Sequence, residues 1–117
     1  MRTYQWSSLP DEEIRRGVVR RAFATPHLMI VHHDLHPGME TRPHSHPFEQ
    51  VVCVLEGEVV FTVDSVAHVT PAGTVFCIPA GATHFAAVPG NQIARTLDIF
   101  APPRSDYAHL TRYLTED

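Results

Sequence analysis

His44-Ser45-His46-Pro47-Phe48-Glu49-Gln50-Val51-Val52-Cys53-Val54-Leu55-Glu56-Gly57 is the stretch whose reading decides the fold. In an extended chain, residues two apart share a face about 7 Å apart, so the imidazoles of His44 and His46 can reach one cation between them. Gln50 has the same parity, but on a straight strand it would lie about 13 Å beyond His46. Pro47 resolves this, because proline ends or bends a central strand. If the chain turns at Pro47-Phe48-Glu49, Gln50 opens the next strand facing the same interior. Glu49 points away on simple alternation, but a bulge at the bend would swap it in for Gln50. The β-branched, apolar run after Gln50 reads as a strand, and Gly57 breaks it.

Outward from this stretch, short strands and turns alternate. His27-Leu-Met-Ile-Val-His-His-Asp-Leu35, Val59-Val-Phe-Thr-Val63, Val66 to Thr70, Thr74-Val-Phe-Cys-Ile78, Phe85 to Val88 and Ile93-Ala-Arg-Thr-Leu-Asp-Ile-Phe100 all read as strands. Turns fall at Pro37-Gly38, Asp64-Ser65, Pro71-Ala-Gly73, Pro79-Ala-Gly81 and Pro89-Gly90. Turn signals every 8–12 residues or so imply an all-β chain folded as an antiparallel sandwich or barrel. The barrel is expected over 26–101. Residues 1–25 are expected as a segment packed on it or on a partner, with Pro10-Asp-Glu-Glu-Ile-Arg-Arg16 forming a helical turn that Gly17 stops. Residues 102–117 carry a short C-terminal helix from Ser105, its N-cap, to Leu114.

The 117 residues suit one core. A net charge of −4 argues against a nucleic-acid partner. No apolar run is long enough to span a bilayer. The N-terminus lacks the apolar stretch of a secretory signal, so the cytoplasm is the expected location. All nine basic residues are Arg, which leaves no Lys for Schiff-base chemistry. Cys53 and Cys77 fit no short-spaced metal motif and read as small buried core residues.

Gly38-x5-His44-x-His46-x3-Gln50-x6-Gly57, followed by Gly73-x5-Pro79-x-Gly81-x2-His84, resembles the two motifs of the cupin superfamily in order and spacing, with Gln where Glu is usual. The resemblance implies a jelly-roll-like antiparallel β-barrel. It also implies one divalent transition metal (Zn, Ni, Fe, Mn or Co) held by His44, His46, Gln50 and His84. Asp98-Ile-Phe100-Ala-Pro-Pro-Arg104 looks like the D-x-F-x-P-x-R segment of small Gln-type cupins, among them pectin-degradation proteins that help convert unsaturated uronates to linear ketoacids. From that likeness follow Asp98 as general acid or base, Arg104 as carboxylate clamp, and Phe100 beside the metal. Phe48 is expected as a second substrate-facing wall. By parity Thr96, Asp98 and Phe100 share one face. Small cupins commonly pair as homodimers, and the same is expected here.

Chemistry sharpens the expectation. Three neutral imidazoles and an amide leave a divalent ion its full charge, which makes a stronger Lewis acid than a Glu-containing set and departs from the two-His, one-carboxylate set of iron oxygenases. An isomerase, lyase or hydrolase acting on a small, oxygen-rich, carboxylated substrate of carbohydrate metabolism leads. A natural-product cyclase or dehydratase, an iron dioxygenase, and a non-enzymatic binding module compete with it. Asp98 also reads as a structural ion-pair partner and Arg104 as a surface residue near a helix start. His27, His32, His33, His36, His68 and His109 read as solvated or hydrogen-bonded, and His32 and His33 cannot both face one interior. Asp11-Glu-Glu and Arg15-Arg16 read as a solvated turn, and Arg42 and Arg95 as surface ion partners.

Overall fold

The structure, a computed structural model, describes residues 1–115. Nine strands follow a short 3₁₀ turn at Trp6–Ser8: β1 Glu12–Arg15, β2 Val18–Ala24, β3 Met29–Leu35, β4 Gln50–Glu56, β5 Glu58–Val63, β6 Val66–Pro71, β7 Val75–Ile78, β8 His84–Ala87 and β9 Ala94–Phe100. They form two antiparallel sheets: six strands in the order β1-β2-β3-β9-β4-β7, and three in the order β6-β5-β8. The sequential jumps from β3 to β9 and from β9 to β4 place strands distant in the chain side by side, which builds the all-β barrel expected from the strand pattern.

Alternation decides what faces inward. Ala94, Thr96, Asp98 and Phe100 of β9 are all buried, and the residues between them are half-buried. Val52 and Val54 of β4, with Val59 and Phe61 of β5, meet Val18, Leu35 and Ile78 in one apolar cluster. Ala22, Met29, Val31, Phe100 and Leu110 form a second. Between them runs a polar row. Arg20 lies between Val18 and Ala22 on β2, and His33 between Val31 and Leu35 on β3. Thr96 and Asp98 lie between Ala94 and Phe100 on β9. Register pairs Arg20 with His33 and His33 with Thr96, so the row crosses three strands.

The N-terminal expectation needs correction. Glu12–Arg15 is strand rather than helix, and with β2 it forms a hairpin closed by Gly17 at φ +80°. The hairpin extends the larger sheet, so the barrel begins before residue 26. The cause is cross-strand pairing: Glu12 faces Arg20, whose Nη2 donates to its Oε1 at 2.7 Å. That contact and the sheet ladder outweigh a weak helix-end signal. The C-terminal helix spans Ser105–Leu114 as expected, but it is a 3₁₀ helix, kinked at Thr111. Arg104, not Ser105, occupies its N-cap position, with no side-chain cap. Leu110 anchors it in the second cluster, and Tyr113 donates to Ala22 O.

Cys53 and Cys77 are not core residues. Cys77 is exposed and Cys53 half-buried. On β4 the inward positions belong to Gln50, Val52 and Val54, which puts Cys53 on the outer face.

Gly57 shows why the first motif needs its final glycine. Its φ is +73°, and a Cβ there would sit 2.7 Å from Ile93 O and 2.9 Å from Ala94 Cα. Both are backbone atoms and cannot move aside cheaply. Gly57→Ala is therefore expected to cost about 2–4 kcal/mol from left-handed strain and overpacking, read as a lower urea midpoint with an unchanged slope.

Candidate metal centre

Three histidines from two distant segments converge through backbone pairing. His44 and His84 form an isolated antiparallel bridge, with His44 N–H donating to His84 O at 3.0 Å and His84 N–H to His44 O at 2.8 Å. Gly81 N–H donates to His46 O at 2.8 Å and fixes the second ring. The His44 and His46 positions were expected on a strand. Instead the segment between β3 and β4 carries this isolated bridge, and the bend at Pro47-Phe48 returns the chain so that Gln50 opens β4 facing inward. Gln50 is buried and Glu49 exposed, so the structure places Gln50, not Glu49, at the cluster.

The hydrogen bonds settle the tautomers. His44 Nδ1 lies 2.8 Å from Arg42 O, His46 Nδ1 2.9 Å from Phe48 O, and His84 Nδ1 2.9 Å from Ala82 O. A carbonyl oxygen only accepts, so each Nδ1 carries the proton and each Nε2 bears a lone pair. Burial favours these neutral forms, holding the pKa of His46 and His84 below the usual imidazole range. One ligand atom from each of the three rings lies within 4.8 Å of the others. His84 Nε2 is buried without any partner. Three clustered lone pairs with no donor among them, one of them buried, are what a cation would satisfy.

Gln50 completes the argument. Gln50 lines the same cavity as Asp98 and helps hold that carboxyl down against the upward push of burial. Its carbonyl Oε1 lies 3.0 Å from His46 Nε2, whose Nδ1 carries the proton. Both atoms are acceptors in this arrangement, and a shared cation relieves the clash. The residues present therefore fit a divalent metal.

One cavity connects this cluster to the rest of the predicted site. His44, His84, Gln50, Thr96, Asp98, Phe100 and Arg104 all line it. Phe48 does not; it stacks behind Arg104, whose guanidinium carbon lies 4.9 Å from the Phe48 ring centre. Arg104 is buried against Phe48, Phe100 and Tyr107, so it is not a surface residue. Its Nε and Nη2 already grip Asp106, at 3.1 and 2.7 Å.

His33 was missed by motif reading. Its Nδ1 lies 3.3 Å from Asp98 Oδ2, inside the same cavity. That distance suits an ion pair, yet burial works against both charges. It pushes Asp98 up to about 7 despite the opposing pull of Gln50 and Arg104. It pushes His33 down to about 3, helped by Arg20 and Arg15. Between about pH 3 and pH 7 the contact is therefore a hydrogen bond between neutral groups. His32, its neighbour, faces the other way beneath Trp6, with ring centres 5.3 Å apart. The signal that could have found His33 is its facing position to Thr96, which the sequence shows only once β3 is paired with β9.

Arg15 was also misread. It is half-buried, and it lines the cavity along with Ile14.

The fold and the motifs agree with comparison. An RmlC-like cupin from Shewanella frigidimarina is 32% identical, with a TM-score of 0.77 over 86% of this chain and 90% of that one. KdgF from a Halomonas species is 24% identical, with a TM-score of 0.74 over 86% and 92%. The polyketide cyclase RemF from Streptomyces resistomycificus, 18% identical, shares the fold with a TM-score of 0.77 over 98% and 97%. No curated protein matches the chain significantly. Among the described residues, no helix is long and apolar enough to cross a membrane. Residues 31–100, a span that includes both histidine segments, match the cupin domain family, and on this ground the chain belongs to the cupin family.

Proposed function

We propose that this cupin is a metal-dependent enzyme of the isomerase, lyase or hydrolase type, acting on a small, oxygen-rich, carboxylated substrate such as a sugar acid. The observation that carries the reading is the Gln50 amide. Its Oε1 lies 3.0 Å from His46 Nε2 and its side chain lines the same cavity as Asp98, so a candidate metal centre and a buried carboxyl stand side by side. A divalent ion held by His44, His46, His84 and Gln50 would supply a Lewis acid for a carbonyl or hydroxyl pair. Asp98 moves the proton, as the only carboxyl among the residues lining the cavity. His33 holds the far side of that carboxyl through Nδ1. Phe100 and Tyr107 wall the site and exclude water. The likeness to KdgF and the Asp98-x-Phe100 segment make unsaturated uronates the first substrates to try.

The test is turnover of an unsaturated uronate by metal-loaded protein, followed by NMR under air and under nitrogen. Asp98→Asn is expected to lower kcat about 10²–10⁴-fold, the usual contribution of a positioned acid or base. Unchanged turnover in this variant would remove Asp98 from the chemistry. Fe(II)-dependent oxygen consumption would replace the reading with an oxygenase.

A second reading has one observation in its favour. Ile14, Val18, Leu35, Met39 and Phe61 make part of the cavity wall apolar, which suits a substrate with a hydrocarbon body. A cyclase or dehydratase would then turn over an aromatic polyketide-like compound and leave uronates untouched. A ligand recovered unchanged after hours would instead mark a binding module.

A further inference from the structure

Two guanidinium groups line the cavity, and they differ in what they already hold. Arg104 is committed: its Nε–Nη2 edge is forked onto Asp106, and its face lies 3.8 Å from the Tyr107 ring centre. Arg15 is not. It donates one hydrogen bond, from Nε to Glu40 O at 3.1 Å. Among the described residues it makes no ion pair, and the Glu40 carboxylate beside it is held by Arg42 at 2.6 Å. The Nη1 and Nη2 groups of Arg15 therefore carry four N–H donors without acceptors.

The backbone puts them there by an irregularity. On a regular strand, Ile14 and Arg15 would face opposite sides of the sheet. The β1–β2 register slips between Glu13 and Arg15, so that Glu13 faces Val19 while Arg15 faces Val18. This bulge lets both Ile14 and Arg15 line the cavity. Burial and the like charges of Arg42 and Arg20 work against this half-buried cation, and the Glu40 carboxylate offsets them only in part. The arginines near it in the chain are satisfied: Arg16 reaches Gly38 O at the surface, and Arg20 is paired with Glu12.

We propose that Arg15 is the seat for the anionic group of the ligand: its Nη1 and Nη2 grip a carboxylate bidentately, while the oxygen-rich part of the same small molecule extends to the histidine cluster. This rests on the sugar-acid reading above and moves anion recognition from Arg104, whose fork is filled, to a residue supplied by the N-terminal hairpin. Guanidinium and carboxylate geometries match for such a grip.

The test is calorimetric binding of galacturonate to the zinc-loaded protein, with galactose as the uncharged control. Arg15→Gln is expected to weaken galacturonate about 10- to 100-fold, the worth of a charge-assisted pair. Galactose binding and zinc content should stay as in the wild type, and the melting temperature should not fall. Arg15→Lys, which keeps the charge but loses the fork, should fall between. If Arg15→Gln binds galacturonate as tightly as the wild type, and the wild type prefers it to galactose, Arg15 is not the seat and the sugar-acid reading stands. If the wild type binds both sugars alike, the carboxylated-substrate reading falls and this inference falls with it.

Discussion

Loading the protein with zinc will raise its melting temperature by about 15 °C, and His44→Ala/His46→Ala/His84→Ala will show no such rise. Binding to the folded state alone contributes about 4 kcal/mol when free metal exceeds Kd a thousandfold. For a domain of this size each kcal/mol moves the midpoint by about 4 °C. The geometry makes the effect specific. All three Nδ1 protons are committed to backbone carbonyls, so the Nε2 lone pairs need not reorganise to accept an ion. The metal-free triple variant should melt close to the metal-free wild type, because the substitutions also remove the orphaned His84 Nε2. Scanning calorimetry, with metal content measured by mass spectrometry, checks both halves. A wild type indifferent to Zn, Ni, Mn, Co and Fe(II) would make the histidines structural.

Asp98→Asn and His33→Asn are expected to tilt the pH dependence of stability in opposite directions in the metal-free protein. Asp98 titrates near 7 in the folded state against 3.8 unfolded. Between those values the folded state holds the extra proton, so this group alone makes stability fall as pH rises. His33 titrates near 3 folded against 6.5 unfolded. Between those values the unfolded state holds the extra proton, so this group alone makes stability rise with pH. From about pH 4 to pH 6 the two slopes cancel: one neutral pair replaces one ionised pair at the same proton count. Removing Asp98 exposes the histidine slope, about +1.4 kcal/mol per pH unit relative to wild type, and removing His33 exposes about −1.4. Over two pH units each amounts to about 3 kcal/mol. Urea melts at pH 4, 5 and 6 read it directly. Parallel curves for all three proteins would show that the two groups do not lose their charges on folding.

What could be read from the chain divides along physical lines. The alternation of β9 and the apolar run of β4 report their own buried faces, so the inward set Thr96, Asp98 and Phe100 was legible from parity alone. Gln50 was legible because Pro47 forces a bend and the motif spacing repeats a known pattern. His33 was not, since its role depends on a partner 65 positions away that only strand pairing supplies. Arg15 was hidden by a bulge, which reverses the parity on which such reading depends. The Glu12–Arg15 strand was mistaken for helix because four residues carry too little period to outvote end-charge signals. Cys53 and Cys77 misled because outer-face residues of β4 and β7 are themselves apolar, so hydrophobicity did not mark the inside.

The polar row of Arg20, His33, Thr96 and Asp98 sets two optimisation problems against each other in one barrel. Valine or isoleucine at these four positions would join the two apolar clusters and raise heat resistance. Laboratory selection for thermostability alone is therefore expected to erode this row first, yielding a sealed and sturdier barrel in which the histidine cluster survives with nothing left to work beside it.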